Sequence, residues 1–310
     1  MIYSKIAVLG AGTIGMSWAA LFAATGRDVV IFDPAPDVEA RGTALIEQAA
    51  PTLSELGWNR AGDMSRIRFT DDPEEAVTGA DFVQESVPER LEIKHDLYAK
   101  IEPHLGRGVL IGTSTSGLTL TALQKGLKDP GGLLLAHPFN PPHLIPLVEL
   151  MDNAQTRKGA LAELQAFYES IGKSCIRLNK EVPGHVANRL QAAVWREAIH
   201  LAMEGVASVK DIDTAISHGP GLRWAAMGPT TTFHLGGGAG GIRAFCDHLT
   251  GPFESWWADL GAPHLTPEVV EVLAKGLEEA TAGQEMQDLV QRRDDLVLAY
   301  VKAAMARDNG

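Results

Sequence analysis

Cysteine is almost missing from this chain of 310 residues: Cys175 and Cys246 are the only two. There is no CxxC pair and no Cys/His cluster, so no metal site is expected. Two scattered thiols fit a reducing compartment. Basic residues are also scarce. Lys and Arg number 27 against 39 Asp and Glu, giving a net charge of −12. A nucleic-acid partner needs clustered Lys and Arg and is therefore not expected. No apolar run approaches the roughly 20 residues that span a bilayer, so no membrane partner is expected either. The first residues lead straight into a strand pattern, KIAVLG, without a basic segment or a cleavage site. The expectation from these absences is a cytoplasmic globular protein. Its 45% apolar and 21% charged content agrees.

What is present is a regular alternation. KIAVL (5–9) is a short apolar run that ends in glycine, as a buried parallel strand does. A helix pattern follows from Thr13 to Thr25 and stops at Gly26. A second strand, Asp28 to Phe32, ends at Asp33-Pro34. Residues 36–65 read as helical with an interruption at Pro51. Further strands are expected at 66–69, 81–87, 109–112, 133–137, 147–151 and 174–178, with helices at 90–101 and 157–171. This pattern predicts an α/β fold, a Rossmann-type doubly wound and mostly parallel sheet, over residues 1–184. NKEVPG (179–184) reads as a linker. Beyond it strand signals vanish. Val186, Leu190, Val194, Ala198 and Leu201 recur near a 3.6-residue period. Helices are expected at 185–204, 208–218, 230–248, 267–282 and 284–307, making 185–310 an all-α domain. LGGGAGG (235–241) should be a turn or a close-packing site.

The string GAGTIG (10–15) sits between the first strand and the first helix, the context that a dinucleotide fingerprint requires. Gly10 permits the turn, Gly12 lets the backbone approach a pyrophosphate, and Gly15 lets the helix pack on the sheet. Thr13 and Ile14 open the helix, whose free N–H groups can face phosphate. Asp33, at the end of the second strand, can accept from both ribose hydroxyls and would repel a 2′-phosphate. The cofactor expected is therefore NAD. As a lone residue, Asp33 could equally cap a turn before Pro34.

Farther on, HPFNPPHLIPLVE places His137 and Glu149 twelve residues apart. His137 ends a strand, where open α/β sheets take their ligands. A neutral imidazole there can take a hydroxyl proton while hydride leaves the same carbon, and a carboxylate on its other nitrogen would fix the tautomer. Spacing alone fits a structural histidine and a surface glutamate at least as well.

The chain resembles the 3-hydroxyacyl-CoA dehydrogenase family over nearly its full length. The resemblance is carried by GAGTIG (10–15), FVQESVPERLEIK (82–94), GTSTSGL (112–118), AHPFNPPHLIPLVEL (136–150) and KEVPGHVANRL (180–190). It implies that His137 and Glu149 form a catalytic dyad and that Ser116 and Asn188 hydrogen-bond the substrate oxygen. It places Glu89 and Lys94 near the nicotinamide half of the cofactor. It also implies a homodimer built on the helical half. Without the family, Ser116 reads as a turn hydroxyl, Asn188 as a surface amide, and Glu89 with Lys94 as an exposed pair.

Within the family, DPAPD (33–37), QESVPERLE (84–92), STSGL (114–118), GPGLRWAAMG (219–228) and HLGGGAGGIRAF (234–245) are closer to the L-carnitine dehydrogenase branch. The HPxNPP segment is shared with the L-gulonate 3-dehydrogenase branch. No Lys occurs between Lys5 and Lys94, and residues 36–65 offer only Arg41 and Arg60, which disfavours an anionic CoA carrier. The expected substrate is a small 3-hydroxy carboxylic acid, carnitine first, with gulonate or 3-hydroxybutyryl-CoA as alternatives. A quaternary ammonium wants aromatic faces. Trp224, Phe233, Trp256 and Trp257 could furnish them, and Arg223 could clamp a carboxylate; each is equally open to a core, interface or ion-pair role. His143 departs from the aromatic residue expected there in carnitine enzymes.

Overall fold

A computed structural model describes residues 3–308. By packing, the chain divides into two compact units: residues up to Ala187 with Asp294–Lys302, and Asn188–Arg293 with the residues after Lys302.

The first unit is built on eight strands: β1 (Lys5–Leu9), β2 (Asp28–Phe32), β3 (Ile67–Thr70), β4 (Phe82–Glu85), β5 (Leu110–Thr113), β6 (Leu133–Pro138), β7 (Leu147–Met151) and β8 (Ser174–Arg177). They lie in the order β3-β2-β1-β4-β5-β6-β7-β8. Every neighbouring pair is parallel except β6 and β7. The order reverses between β1 and β4, the point at which doubly wound sheets open their ligand crevice.

The helices α1 (Thr13–Ala24), α2 (Val38–Glu55), α3 (Pro73–Val77), α4 (Leu91–Ile101), α5 (Leu120–Gln124) and α6 (Ala160–Glu169) cover both faces. Strand alternation explains why the strands read as continuous apolar runs. Ile6 and Val8 pack with Trp18, Phe22, Leu53 and Phe167 on one face. Ala7 and Leu9 pack with Val77, Leu97, Tyr98 and Leu123 on the other. α1 is buried from Gly15 through Ala24, so it is apolar all round rather than striped.

Two expectations are corrected. Pro51 does not interrupt the helix: α2 runs through it. Pro51 is exposed while Leu53 is fully buried. The carbonyl that loses its partner can turn to water, and core packing holds the last turn. In the second half, 230–248 is two helices rather than one. The second unit is built from α7 (Ala187–Met203), α8 (Val209–His218), α9 (Pro220–Met227), α10 (Pro229–Gly236), α11 (Gly241–Asp259), α12 (Pro267–Thr281) and α13 (Met286–Asp308). α10 and α11 are separated by a tight turn through Gly238–Gly240. A Cβ on Gly237 would lie 1.8 Å from the Gly241 carbonyl oxygen, so the glycine run is there for closeness. Among the described residues no helix is long and apolar enough to cross a membrane.

Candidate active site

The lone antiparallel pairing in the sheet sets the geometry of the site. β6 and β7 run against each other with His137 directly opposite Glu149. Residues opposed across a ladder project to the same face. His137 Nδ1 and Glu149 Oε2 are 2.7 Å apart, and both residues are buried. The other carboxylate oxygen, Oε1, accepts from the backbone N–H groups of Val186 (2.9 Å) and Ala187 (3.0 Å), where α7 begins. Burial opposes ionisation of Glu149. The bonds from His137, Ala187 and Val186 outweigh it and hold the carboxyl below its usual range. An ionised Glu149 can only accept, so Nδ1 of His137 carries the hydrogen, and the neutral ring has its lone pair on Nε2.

The loop between β6 and β7 is pinned from behind. Ser17 Oγ, on α1, accepts from the His143 N–H at 2.8 Å and also bonds the His143 ring. His143 is thus tied to α1. Lys173, buried just before β8, donates to the carbonyls of Pro142 and Ile145. Its ammonium lies 5.3 Å from the Trp18 ring centre. Burial pushes the Lys173 ammonium down to about 7.

A second network positions Ser116. Glu89 Oε1 accepts from the N–H groups of Ser116 (2.9 Å) and Gly117 (2.8 Å) and from the Thr115 hydroxyl. Burial works against the Glu89 charge, but Thr115, Gly117, Lys94 and Leu118 together hold its carboxyl below the usual range. Ser116 itself is exposed at the tip of this turn. The exposed Glu89–Lys94 pair considered from sequence is corrected: Lys94 is only 1% exposed. Its Nζ is 2.6 Å from Glu85 and 3.7 Å from Glu89. It braces the loop from beneath rather than offering its charge at the surface. Glu85 also accepts from Tyr98 and Thr113, each at 2.7 Å, so this buried charge is fully partnered.

Sequence reasoning missed Glu85, Lys173 and His185. Glu85 had a signal: an acid inside an apolar strand has to find partners. His185 had none beyond its place in KEVPGHVANRL. It is buried, its ring centre is 5.0 Å from that of His137, and its Nε2 is 3.1 Å from the Thr115 carbonyl.

The glycine turn fits a dinucleotide. Gly10 has φ +100, and a Cβ there would meet the Ser86 carbonyl at 2.6 Å. A Cβ on Gly15 would lie 1.8 Å from the Gly10 carbonyl oxygen, whereas one on Gly12 would meet nothing within 4 Å. Gly12 therefore leaves open space above the N-terminus of α1, formed by Thr13 and Ile14, which no side chain caps. Such an end suits a phosphate. Asp33 accepts from Ala11 N at 2.8 Å and Ala35 N at 2.9 Å, fixing its carboxylate beside this turn. A surface cavity of about 620 Å³ opens at the ends of β2 and β3, and its lining includes Asp33, Asp37, Glu39 and Asp71. Four carboxylates and no cation make it hostile to a 2′-phosphate.

Asn188, Arg223, Trp224 and Phe233 belong to the second unit. Asn188 is half-buried near the start of α7, and Arg223 is exposed on α9. Trp224 buries its indole nitrogen without a partner among the described residues. Phe233 stacks on Phe245 at 4.9 Å and meets Phe253 edge-on at 5.5 Å, so part of its ring is used in packing.

Comparison with known proteins supplies the context for this geometry. The chain is similar to the L-carnitine dehydrogenase of Streptomyces coelicolor, 46% identical over 96% of this chain and 94% of the relative. It is 41% identical to the L-carnitine dehydrogenase of Pseudomonas aeruginosa, over 96% and 92%. Among solved structures it is similar to a 5-formyl-3-hydroxy-2-methylpyridine 4-carboxylic acid 5-dehydrogenase, described as an NAD+-dependent dismutase. That match has TM-score 0.79 and 31% identity and covers 95% and 96% of the two chains. A 3-hydroxybutyryl-CoA dehydrogenase from Ralstonia eutropha matches with TM-score 0.62 and 27% identity, covering 69% and 76%. The family model for the NAD-binding domain of 3-hydroxyacyl-CoA dehydrogenase matches residues 5–182, and that for the C-terminal domain matches 184–287. Sheet order, glycine turn and sequence kinship converge: the chain belongs to the 3-hydroxyacyl-CoA dehydrogenase family and is an NAD-dependent oxidoreductase acting on a CH–OH group.

Proposed function

We propose that this enzyme oxidises the 3-hydroxyl of a small 3-hydroxy carboxylic acid, L-carnitine to 3-dehydrocarnitine, with His137 as general base and Glu149 as its partner. The observation that carries the reading is the 2.7 Å contact between His137 Nδ1 and Glu149 Oε2. Nε2 of His137 takes the hydroxyl proton as the carbonyl forms. Glu149, held ionised by two backbone N–H groups, balances the imidazolium charge. Ser116, on the turn that Glu89 clamps, and Asn188, at the head of α7, hydrogen-bond the substrate oxygen. NAD, when bound, takes the hydride from the carbinol carbon. Carnitine ranks first because the relatives at 40–46% identity over 96% of this chain carry that name. The lack of lysine from residue 6 to 93 speaks in the same direction, since a CoA phosphate would want cations there. Arg223, Trp224 and Phe233 remain the candidates for gripping the substrate carboxylate and trimethylammonium group. The helical half also serves dimer formation in this proposal.

NADH formation should be followed in parallel with L-carnitine, L-gulonate and 3-hydroxybutyryl-CoA. The reading expects kcat/KM for carnitine at least about a hundredfold above the others, a gap of roughly 2.7 kcal/mol in transition-state binding. A higher value with either rival would replace carnitine as substrate.

A further inference from the structure

His185 is an ionisable side chain at the edge of the dyad that the proposed chemistry does not use. It is 3% exposed, and its ring plane is tilted by 53° to that of His137. Its backbone has φ +50, in the left-handed region that non-glycine residues seldom enter. Gly184 before it has φ +73, so two successive left-handed residues turn the chain into α7. That turn aims the next two N–H groups, of Val186 and Ala187, at Glu149 Oε1. The imidazole itself reaches Thr115, whose carbonyl can only accept. Nε2 of His185 therefore carries the hydrogen, and Nδ1 is the bare nitrogen. Nδ1 is sealed from solvent and has no hydrogen-bond partner among the described residues. A ring kept only to fill space would be better apolar, because a bare buried acceptor is costly.

We propose that His185 is a positioning residue for the oxidation: its ring anchors the Thr115–Ser116 turn and the backbone that follows it anchors Glu149, so the base and the substrate-binding hydroxyl keep one geometry. This rests on the dyad reading given above. Burial is the main influence disfavouring a proton on His185, and positive charge on His137 acts in the same direction. The Thr115 carbonyl, Glu149 and Glu89 oppose this without reversing it. His185 is thus biased against taking the proton that His137 accepts, and its Nε2–H can donate to Thr115 in either charge state.

The test compares His185→Phe, His185→Gln and His137→Ala in the full-length protein, with NAD and the best substrate of the panel. Gln places an N–H donor near the position of Nε2, whereas Phe keeps a ring without one. The expected result is that His185→Phe loses about tenfold or more in kcat, within the roughly 10²-fold that a displacement of ~1 Å can cost, with the KM for NAD within about twofold of wild type. His185→Gln should recover most of the loss. In 15N spectra of the wild type labelled at histidine, His185 should show at neutral pH a neutral ring with its hydrogen on Nε2. A kcat for His185→Phe within about twofold of wild type, beside an inactive His137→Ala, would overturn the proposal; so would equal losses in Phe and Gln, or a wild-type ring protonated at Nδ1. A kcat for His137→Ala within about tenfold of wild type would instead sink the dyad reading. If the Phe variant fails to fold, the Gln variant and the wild-type spectra decide.

Discussion

Glu149 divides its two oxygens between two tasks, one facing the imidazole of His137 and the other the first N–H groups of α7. Its substitution should therefore show in chemistry and in stability at once. His137→Ala is expected to lose about 10²-fold or more in kcat with NAD binding unchanged by titration. Glu149→Gln should lose a comparable amount, because an amide cannot balance an imidazolium. The stability effect has a definite sign. The folded carboxyl lies below its usual range, so its contribution is complete above the ordinary glutamate value, about 4.3, and disappears as pH falls through the lower folded value. In thermal melts from neutral to acid pH, wild type should lose its advantage over Glu149→Gln; a constant gap would contradict this. The pairing of His137 with Glu149 was expected from the family resemblance; spacing alone fitted a structural histidine and a surface glutamate as well, because it does not show that the two lie opposite each other on neighbouring strands. Glu85, Lys173 and His185 were not legible. Lys173 and His185 bond backbone carbonyls remote in sequence, which no local pattern announces, and the apolar strand around Glu85 signalled only that the acid needed partners, without naming them.

The turn between β1 and α1 separates two uses of glycine. Gly12→Ala meets no atom within 4 Å of the added Cβ and has an unstrained φ of −74, so it should fold with an unchanged melting temperature. It should nonetheless bind NAD at least about tenfold more weakly, about 1.4 kcal/mol, because the methyl group occupies the phosphate approach. Gly15→Ala drives a methyl into the Gly10 carbonyl and should destabilise the fold by ~3 kcal/mol. Equal effects in the two variants would remove the distinction. Lys173 belongs to the loop after β6. From its folded value of about 7 up to the ordinary 10.5, the unfolded chain holds a proton that the folded chain lacks. Its contribution to stability therefore rises with pH across that window and is least below it. Lys173→Met leaves two carbonyls without a donor and should be less stable at every pH, with a flatter rise between about 7 and 10. The strands were legible because both faces of the sheet are covered, which makes their apolar runs continuous. Pro51 and the 230–248 segment misled for opposite reasons: tertiary packing overrode a helix breaker in one, and a glycine run broke a helical period in the other.

At the scale of the molecule, the apolar stripe expected to bury α7 faces outward in the single chain. Leu190 is 59% exposed and Val194 is 36% exposed, while Ile199 is the buried member of the helix. Trp256 and Trp257, on α11, are 57% and 64% exposed. Apolar surface of this extent on one unit argues for a protein partner, and a second copy is the one we propose. Light scattering on the purified protein should return about twice 33.2 kDa. A monomeric mass would count against the dimer and leave the dyad reading intact. Sequence periodicity identified the stripe; it could not tell which surface would cover it, because the period is the same for an internal core and an external one.

The opposition of His137 and Glu149 comes from the β6–β7 ladder, and the connecting loop only happens to make the interval twelve residues. A homologue could carry a longer or shorter hairpin and keep the same pair face to face. A scan keyed to a fixed interval would pass over it. One that asks for imidazole and carboxylate on facing rungs of a reversed strand would find it.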